Sequence, residues 1–282
     1  METATTEPWE LVEALDDGRG FVDRSKDRAV VVRGADARGW LGDLVTADIA
    51  SLMPGSSRRS LLLTPTGRIR ADMWITQIDD DAFLVVQARD QPEPVDDLLR
   101  PYVLSSAVRL EPASDGGSVL LFPAREEIVT TRGDDRSVLR PRSAESGSIL
   151  VDERAFEIWR VGRGDPRMGI DFEAGALPAE AGLERLIDVT KGCFLGQESV
   201  AKVRNLGHPP TVLRHLRCDT RVMAGTSVSA ADGESARTEV GRITSAAPTR
   251  DGGTVLIARV EFRAAGVPLN ASDSSPLFPA RN

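Results

Sequence analysis

The chain has 282 residues, a length that suits two or three packed units better than one core. Hydrophobic residues make up 41% and charged residues 28%, an ordinary globular composition that excludes a disordered chain. The net charge of -8 argues against a general nucleic-acid-binding role, because phosphate binding wants a basic face; a local basic pocket for a small anion is still compatible with it. Cys193 and Cys218 are the only two cysteines. They cannot build a disulfide framework and lack the CxxC spacing of a zinc site or redox pair, so no metal site and a reducing, cytoplasmic setting are expected. Residues 1–10 are acidic and polar without the apolar stretch of a signal peptide, and no run is apolar enough to span a membrane.

In chain order, Trp9, Leu11, Val12 and Leu15 share one face of a short helix. Phe21-Val22-Asp23 and the β-branched run 29–32 read as strands, and Gly34 ends the second. Asp36 is placed to cap a helix carrying Trp40, Leu41, Leu44 and Val45. Residues 61–63 and 69–78 form a hairpin around the turn Thr64-Pro65-Thr66-Gly67, followed by a strand at 82–86. Pro94 opens a helix with Val95, Leu98, Leu99 and Tyr102, and a strand starts at Val108. This order is α+β and not the alternation of a doubly wound sheet.

Residues 114–148 are rich in Gly, Ser, Asp and Arg and read as a smaller unit with short strands at 119–122 and 128–129. Residues 155–161 have strand character, and Gly162, Gly164 and Pro166 turn the chain before 168–172. Pro178 is predicted to open a helix with the stripe Leu183, Leu186 and Ile187 and with Glu180 near its positive end. A second helix carries Val200, Val203 and Leu206, so the stretch 191–198 is expected to be a loop between two helices. Beyond Pro210, strand-like pieces at 212–216, 227–229, 240–243 and 255–260 suggest a small antiparallel barrel, with 271–282 as a polar, mobile tail.

The stretch Lys191-Gly192-Cys193-Phe194-Leu195-Gly196-Gln197-Glu198 gathers a cation, a thiol, an amide and a carboxylate between two glycines. Cys193 reads either as an inert buried thiol or as an exposed one, favoured as thiolate by Lys191 and the following helix N-terminus. Lys191 and Glu198 either pair across the loop or face a ligand, and Gln197 either meets a planar amide-like edge or caps backbone. Asp72, on the hairpin with Trp74, is either a solvent-facing strand residue or a cleft carboxylate for a cationic or amide-bearing ring. Arg160 is either solvated or grips an anionic ligand tail. His208 and His215 have no ligand spacing with either cysteine.

The 191–198 stretch fills every defined position of the K-G-C-[FY]-x-G-Q-E signature and so resembles the YgfZ family of folate-binding proteins, relatives of the glycine cleavage T protein (aminomethyltransferase). Val200-Ala201-Lys202 is close to that family's V-A-R continuation, residues 158–172 resemble its R-x-x-x-G-x-P-x-x-G segment, and 240–245 its V-G-x-[IV]-T-S strand. The resemblance implies a three-domain ring of ferredoxin-like α+β units with a C-terminal antiparallel β-barrel. Its division would be 1–112 with 168–208 for folate, 113–167 as a smaller α+β domain, and 209–282 as barrel. It implies tetrahydrofolate or a related reduced folate as ligand, with Asp72, Trp74 and Arg160 as candidate contacts. It also implies iron–sulfur client proteins or their cluster assembly machinery as partners, served by Cys193 with Lys191. The hairpin departs from the G-G-x-x-D-D of aminomethyltransferases by carrying Ala71 before Asp72, which favours an assembly factor over the alternative, a folate-dependent aminomethyltransferase or demethylase.

Overall fold

The computed structural model describes residues 7–104, 107–113, 118–121, 138–141, 147–231 and 238–280. The chain divides into two compact units, Met1–Phe156 with Arg185–Val200, and Glu157–Glu184 with Ala201–Asn282.

The first unit begins with α1 (Pro8–Asp16), whose proline sits in the first turn where its missing N–H costs nothing. Strands β1 (Gly20–Asp23) and β2 (Arg28–Arg33) follow, then α2 (Ala37–Leu44). Next come the hairpin β3 (Ser57–Leu63) and β4 (Ile69–Asp79), β5 (Ala82–Gln87), α3 (Val95–Leu99) with a 3-10 turn Arg100–Tyr102, and β6 (Arg109–Pro112). These strands make a five-stranded antiparallel sheet in the order β3-β4-β5-β2-β6. Ala37, Leu41 and Leu44 of α2 and Val95, Leu98 and Leu99 of α3 bury the helices' apolar faces against Val30, Val32, Leu62, Met73, Ile75, Phe83 and Val85 of the sheet. A second sheet, β8-β7-β1-β9, contains β7 (Ser118–Leu121), β8 (Val138–Pro141) and β9 (Ile149–Leu150), the last parallel to β1. The strand expected at 128–129 lies outside the described residues.

Two helices carry the chain across the unit boundary, α4 (Glu153–Gly162) and α5 (Gln197–Leu206). Besides these helices and the turns of residues 163–184, the second unit is a closed antiparallel barrel. Its strands are β10 (Thr211–Cys218), β11 (Ser227–Ala230), β12 (Glu239–Pro248), β13 (Thr254–Glu261), β14 (Leu269–Ala271) and β15 (Pro276–Pro279), in the order β10-β13-β12-β11-β14-β15. Leu216, Val228, Ile243, Leu256, Ala258, Val260 and Leu269 fill it. Among the described residues no helix is long and apolar enough to cross a membrane.

Five local expectations need correction. Residues 155–161 are helical, because Asp152 caps α4 with its Oδ1 accepting from Ala155 N at 2.8 Å. The stretch after Pro178 is a series of turns with one 3-10 turn at Glu184–Leu186, since Gly182 adopts a left-handed φ of +64° that interrupts a helix. The 191–198 loop therefore runs from a 3-10 turn into α5 rather than between two α-helices, and Glu180 closes a local turn by accepting from Leu177 N at 2.7 Å. Asp36 makes no side-chain cap on α2; its Oδ2 accepts from Ala107 N at 2.8 Å. The supposed tail supplies β15, which pairs with β10 and β14 and closes the barrel.

Candidate functional site

The 191–198 loop is held by the end of α2 and the tip of the β3–β4 hairpin. Helix ends leave carbonyls without intrahelical partners, and the loop supplies the missing donors. Lys191 Nζ donates to the carbonyls of Gly42 (2.6 Å), Val45 (2.5 Å) and Ala47 (3.1 Å), and Leu195 N donates to Asp43 O at 2.9 Å. The Lys191 ammonium also lies 5.3 Å from the centre of the buried Phe194 ring. Leu195 packs onto the sheet–helix core. Between these anchors Gly192 and Cys193 are exposed, and Glu198 is exposed in the first turn of α5. Lys191 makes no ion pair with Glu198. Upstream, Thr46 joins the loop's approach to β3: its Oγ1 donates to Leu186 O at 2.9 Å and accepts from Leu61 N at 3.0 Å, and its carbonyl accepts from Asp188 N at 3.0 Å.

Two glycines set the other contact. Gly196 has φ +84°, and a Cβ there would lie 2.4 Å from Thr64 O and 3.3 Å from Gly67 Cα. Gly67, with φ +74°, would place a Cβ 3.0 Å from Ser199 Cβ, and Ser199 Oγ donates to Pro65 O at 3.0 Å. Only residues without side chains let hairpin tip and loop meet this closely. Gly196→Ala is accordingly expected to destabilise the first unit by at least about 1–3 kcal/mol from backbone strain alone. Thermal unfolding checks it, and an unchanged melting temperature would refute the close contact.

Burial pulls the Lys191 pKa down from 10.5 to about 8, against the charges of Asp48, Asp43 and Asp188, which favour the ammonium. Between about 8 and 10.5 the unfolded chain then holds a proton that the folded chain has released, so this residue's contribution to stability rises with pH through that window. Urea midpoints at pH 7.5 and 9.5 should show the wild type gaining on Lys191→Met at the higher pH. A constant difference would contradict the depressed pKa.

Asp72 is buried on β4 and meets Arg59 of β3 through a forked ion pair, Nε to Oδ1 at 2.8 Å and Nη2 to Oδ2 at 2.6 Å. The Asp72 peptide is held by Gln91, whose Oε1 accepts from Asp72 N (3.0 Å) and whose Nε2 donates to Asp72 O (2.6 Å). Gln87 Nε2 donates in turn to Gln91 Oε1 at 3.2 Å. Trp74 is half-buried and stands opposite Arg59 in the strand register. The solvent-facing reading of Asp72 thus fails, because it sits in a satisfied polar network. Sequence reasoning missed Arg59. Extending the hairpin outward from its turn pairs Leu61 with Asp72 and Arg59 with Trp74, which makes Arg59 and Asp72 diagonal neighbours on one face.

Arg160 belongs to the second unit and is 2% exposed, which rules out the solvated alternative. Its guanidinium donates to Glu157 Oε2 (2.7 Å), Asp165 O (2.7 Å), Asp171 Oδ2 (2.7 Å) and Ser245 Oγ (2.9 Å), while Nε reaches Glu157 at 3.2 Å. Its donors are therefore used within the protein, which leaves none for a ligand tail. Burial disfavours its charge, but the hydrogen bonds and charges of Glu157 and Asp171 outweigh this and raise its pKa. Asp171 completes the network by accepting from Thr244 Oγ1 (2.6 Å), Ser245 Oγ (2.7 Å) and Arg167 N (2.9 Å). The segments 158–172 and 240–245 are thus two halves of one buried polar cluster.

Residues 10–122 match the family model described as the GCVT N-terminal domain. The chain is 23% identical over 265 residues to the tRNA-modifying protein YgfZ of Escherichia coli O127:H6, covering 80% of each chain. It is 25% identical over 257 residues to the mitochondrial iron-sulfur cluster assembly factor IBA57 homolog of Pyricularia oryzae, covering 80% of this chain and 66% of the relative. The glycine cleavage system aminomethyltransferase T of Bartonella henselae superposes with a TM-score of 0.74 over 93% of this chain and 85% of that one, at 18% identity. Together these similarities support a YgfZ-like chain with the fold of the glycine cleavage T protein. In this YgfZ-like chain the family model's residues 10–122 include α2, the β3–β4 hairpin, Arg59 and Asp72, while the 191–198 signature that docks on them lies outside the matched range.

Proposed function

We propose that this chain is a cytoplasmic protein that binds a reduced folate and supports assembly or repair of iron–sulfur clusters in client proteins through Cys193. The observation that carries the reading is the exposed thiol, held on a loop that is anchored on both sides of it. The Pyricularia oryzae relative, an iron–sulfur cluster assembly factor homolog, supports the choice of client. One thiol cannot hold a cluster, which takes about four ligands, so Cys193 acts together with ligands on a client or a second chain.

Bound folate would supply one-carbon chemistry. The Asp72 carboxylate fits a pterin in kind: it has about four acceptor sites, the Arg59 fork takes two of them, and the remaining ones suit the two-donor edge of an amino-pyrimidine. Gln91 keeps the Asp72 peptide in place for that contact, and Trp74 lies two residues along β4 on the same face. Ala71 is fully buried in the position where aminomethyltransferases carry the first acid of their pair, which favours an assembly role over aminomethyl transfer.

The test is complementation of cells lacking the chain. Cys193→Ala is expected to leave iron–sulfur enzyme activities at the level of the deletion, while the purified variant unfolds within about 0.5 kcal/mol of wild type, as an exposed substitution should. Normal enzyme activities with a folded, expressed variant would defeat the cysteine role. Thermal-shift titration with 5-formyltetrahydrofolate addresses the ligand: a wild type that shows no shift rejects folate binding.

A further inference from the structure

We propose that Lys191 is a positioning residue whose ammonium clamps the thiol loop onto the C-terminal end of α2 and so fixes where Cys193 is presented. The inference rests on the reading of Cys193 as the acting group and concerns how that group is held. A nearby lysine would ordinarily be read as a charge that favours thiolate. The geometry points elsewhere. Lys191 Nζ has three donors and meets three carbonyls, those of Gly42, Val45 and Ala47, at 2.5–3.1 Å. Gly42 lies in the final turn of α2 and Val45 just beyond it, and a third bond to this helix end, Leu195 N to Asp43 O, lies alongside. The loop is in effect the cap of a helix about 150 residues earlier in the chain. The same ammonium lies over Phe194, which is buried, so side chains 191 and 194 fold inward and leave 192 and 193 outward. Among the described residues no carboxylate lies within ion-pairing distance of the ammonium; Asp43, Asp48 and Asp188 act on it from farther off, and its close contacts are to carbonyls and a ring face.

Charge and shape separate the two roles. A role in favouring thiolate needs only a positive charge nearby, which arginine would supply. A clamp on three converging carbonyls needs a compact ammonium, and a planar guanidinium with its fixed fork does not reproduce it. The experiment uses the full chain as wild type, Lys191→Arg, Lys191→Met and Lys191→Gln, the last as a hydrated substitute if the methionine chain does not fold. Iodoacetamide alkylation of Cys193 is followed against pH by peptide mass spectrometry, with amide hydrogen exchange measured over residues 188–196. Expected are exchange faster by about tenfold or more in the arginine variant and in the neutral one, as loss of charge-assisted hydrogen bonds implies. The pH midpoint of alkylation should stay at the wild-type value in each variant. Two results overturn the proposal. One is a midpoint that rises in the neutral variant and returns to wild type with arginine, which would mean that Lys191 acts by charge. The other is wild-type exchange in every variant, which would mean that there is no clamp. Neither measurement involves folate or a client, so failure of the functional reading shows up separately, as normal client activity in Cys193→Ala cells.

Discussion

Arg160→Met is expected to destabilise the second unit by about 3–5 kcal/mol, because it strands a buried carboxylate. Arg160 is held among Glu157, Asp165, Asp171 and Ser245, and without it the buried Asp171 keeps only two hydroxyls and one peptide N–H. Those neutral donors do not balance a charge out of reach of water. The loss falls on α4, the 165–171 turn and β12 together, since all three meet in this cluster. Urea denaturation followed by circular dichroism checks it. Arg163→Met is the control: Arg163 is exposed with its guanidinium 4.7 Å over the Trp159 ring, and its removal should cost under about 1 kcal/mol. Equal small losses in both variants would mean that the buried cluster does not hold the unit together.

A loss of similar size, about 3–5 kcal/mol, is expected in the first unit for Arg59→Met, which leaves Asp72 buried and uncompensated. Breaking such a pair on one side costs far more than replacing both sides with apolar groups, so Arg59→Met combined with Asp72→Leu should regain most of the loss. The double variant also separates stability from ligand binding. If Asp72 contacts a pterin, the double variant is folded but binds 5-formyltetrahydrofolate at least about tenfold more weakly than wild type, as loss of a charge-assisted contact implies. A folded double variant with wild-type affinity would remove Asp72 from the ligand site.

The strands were legible where β-branched runs met clear turns, as at Val30-Val31-Val32 and around Thr64-Pro65-Thr66-Gly67. Helix α4 was not, because Phe156, Ile158, Trp159 and Val161 favour strands by themselves and are buried around most of the helix. Its signal was the Asp152 cap with Glu153 in the first turn, a local feature that outweighs composition. The last barrel strand was hidden because Pro276 and Pro279 bracket only Leu277 and Phe278, and closure of a barrel is a long-range event. The signature loop was legible as a group of residues, but not in what each one touches. That Lys191 reaches back to α2, and that Asp72 is matched by an arginine two strand positions off, depends on pairings between distant parts of the chain. For Arg160 the sequence leaves open a solvated charge or a grip on a ligand tail, because a lone arginine gives no hint of its partners at positions 171 and 245.

The meeting of Gly196 with Gly67 and Thr64 bears on whether the octapeptide is portable. Grafted alone onto another scaffold, it would carry its thiol but lose the floor that shapes it, and would behave as an ordinary flexible surface cysteine. The transferable piece is discontinuous: the eight residues, the four-residue hairpin tip, and the last turn of α2 with the three carbonyls that receive Lys191. A one-residue insertion at the hairpin tip, more than 120 positions away from Cys193, would therefore be felt at the thiol more strongly than most substitutions beside it.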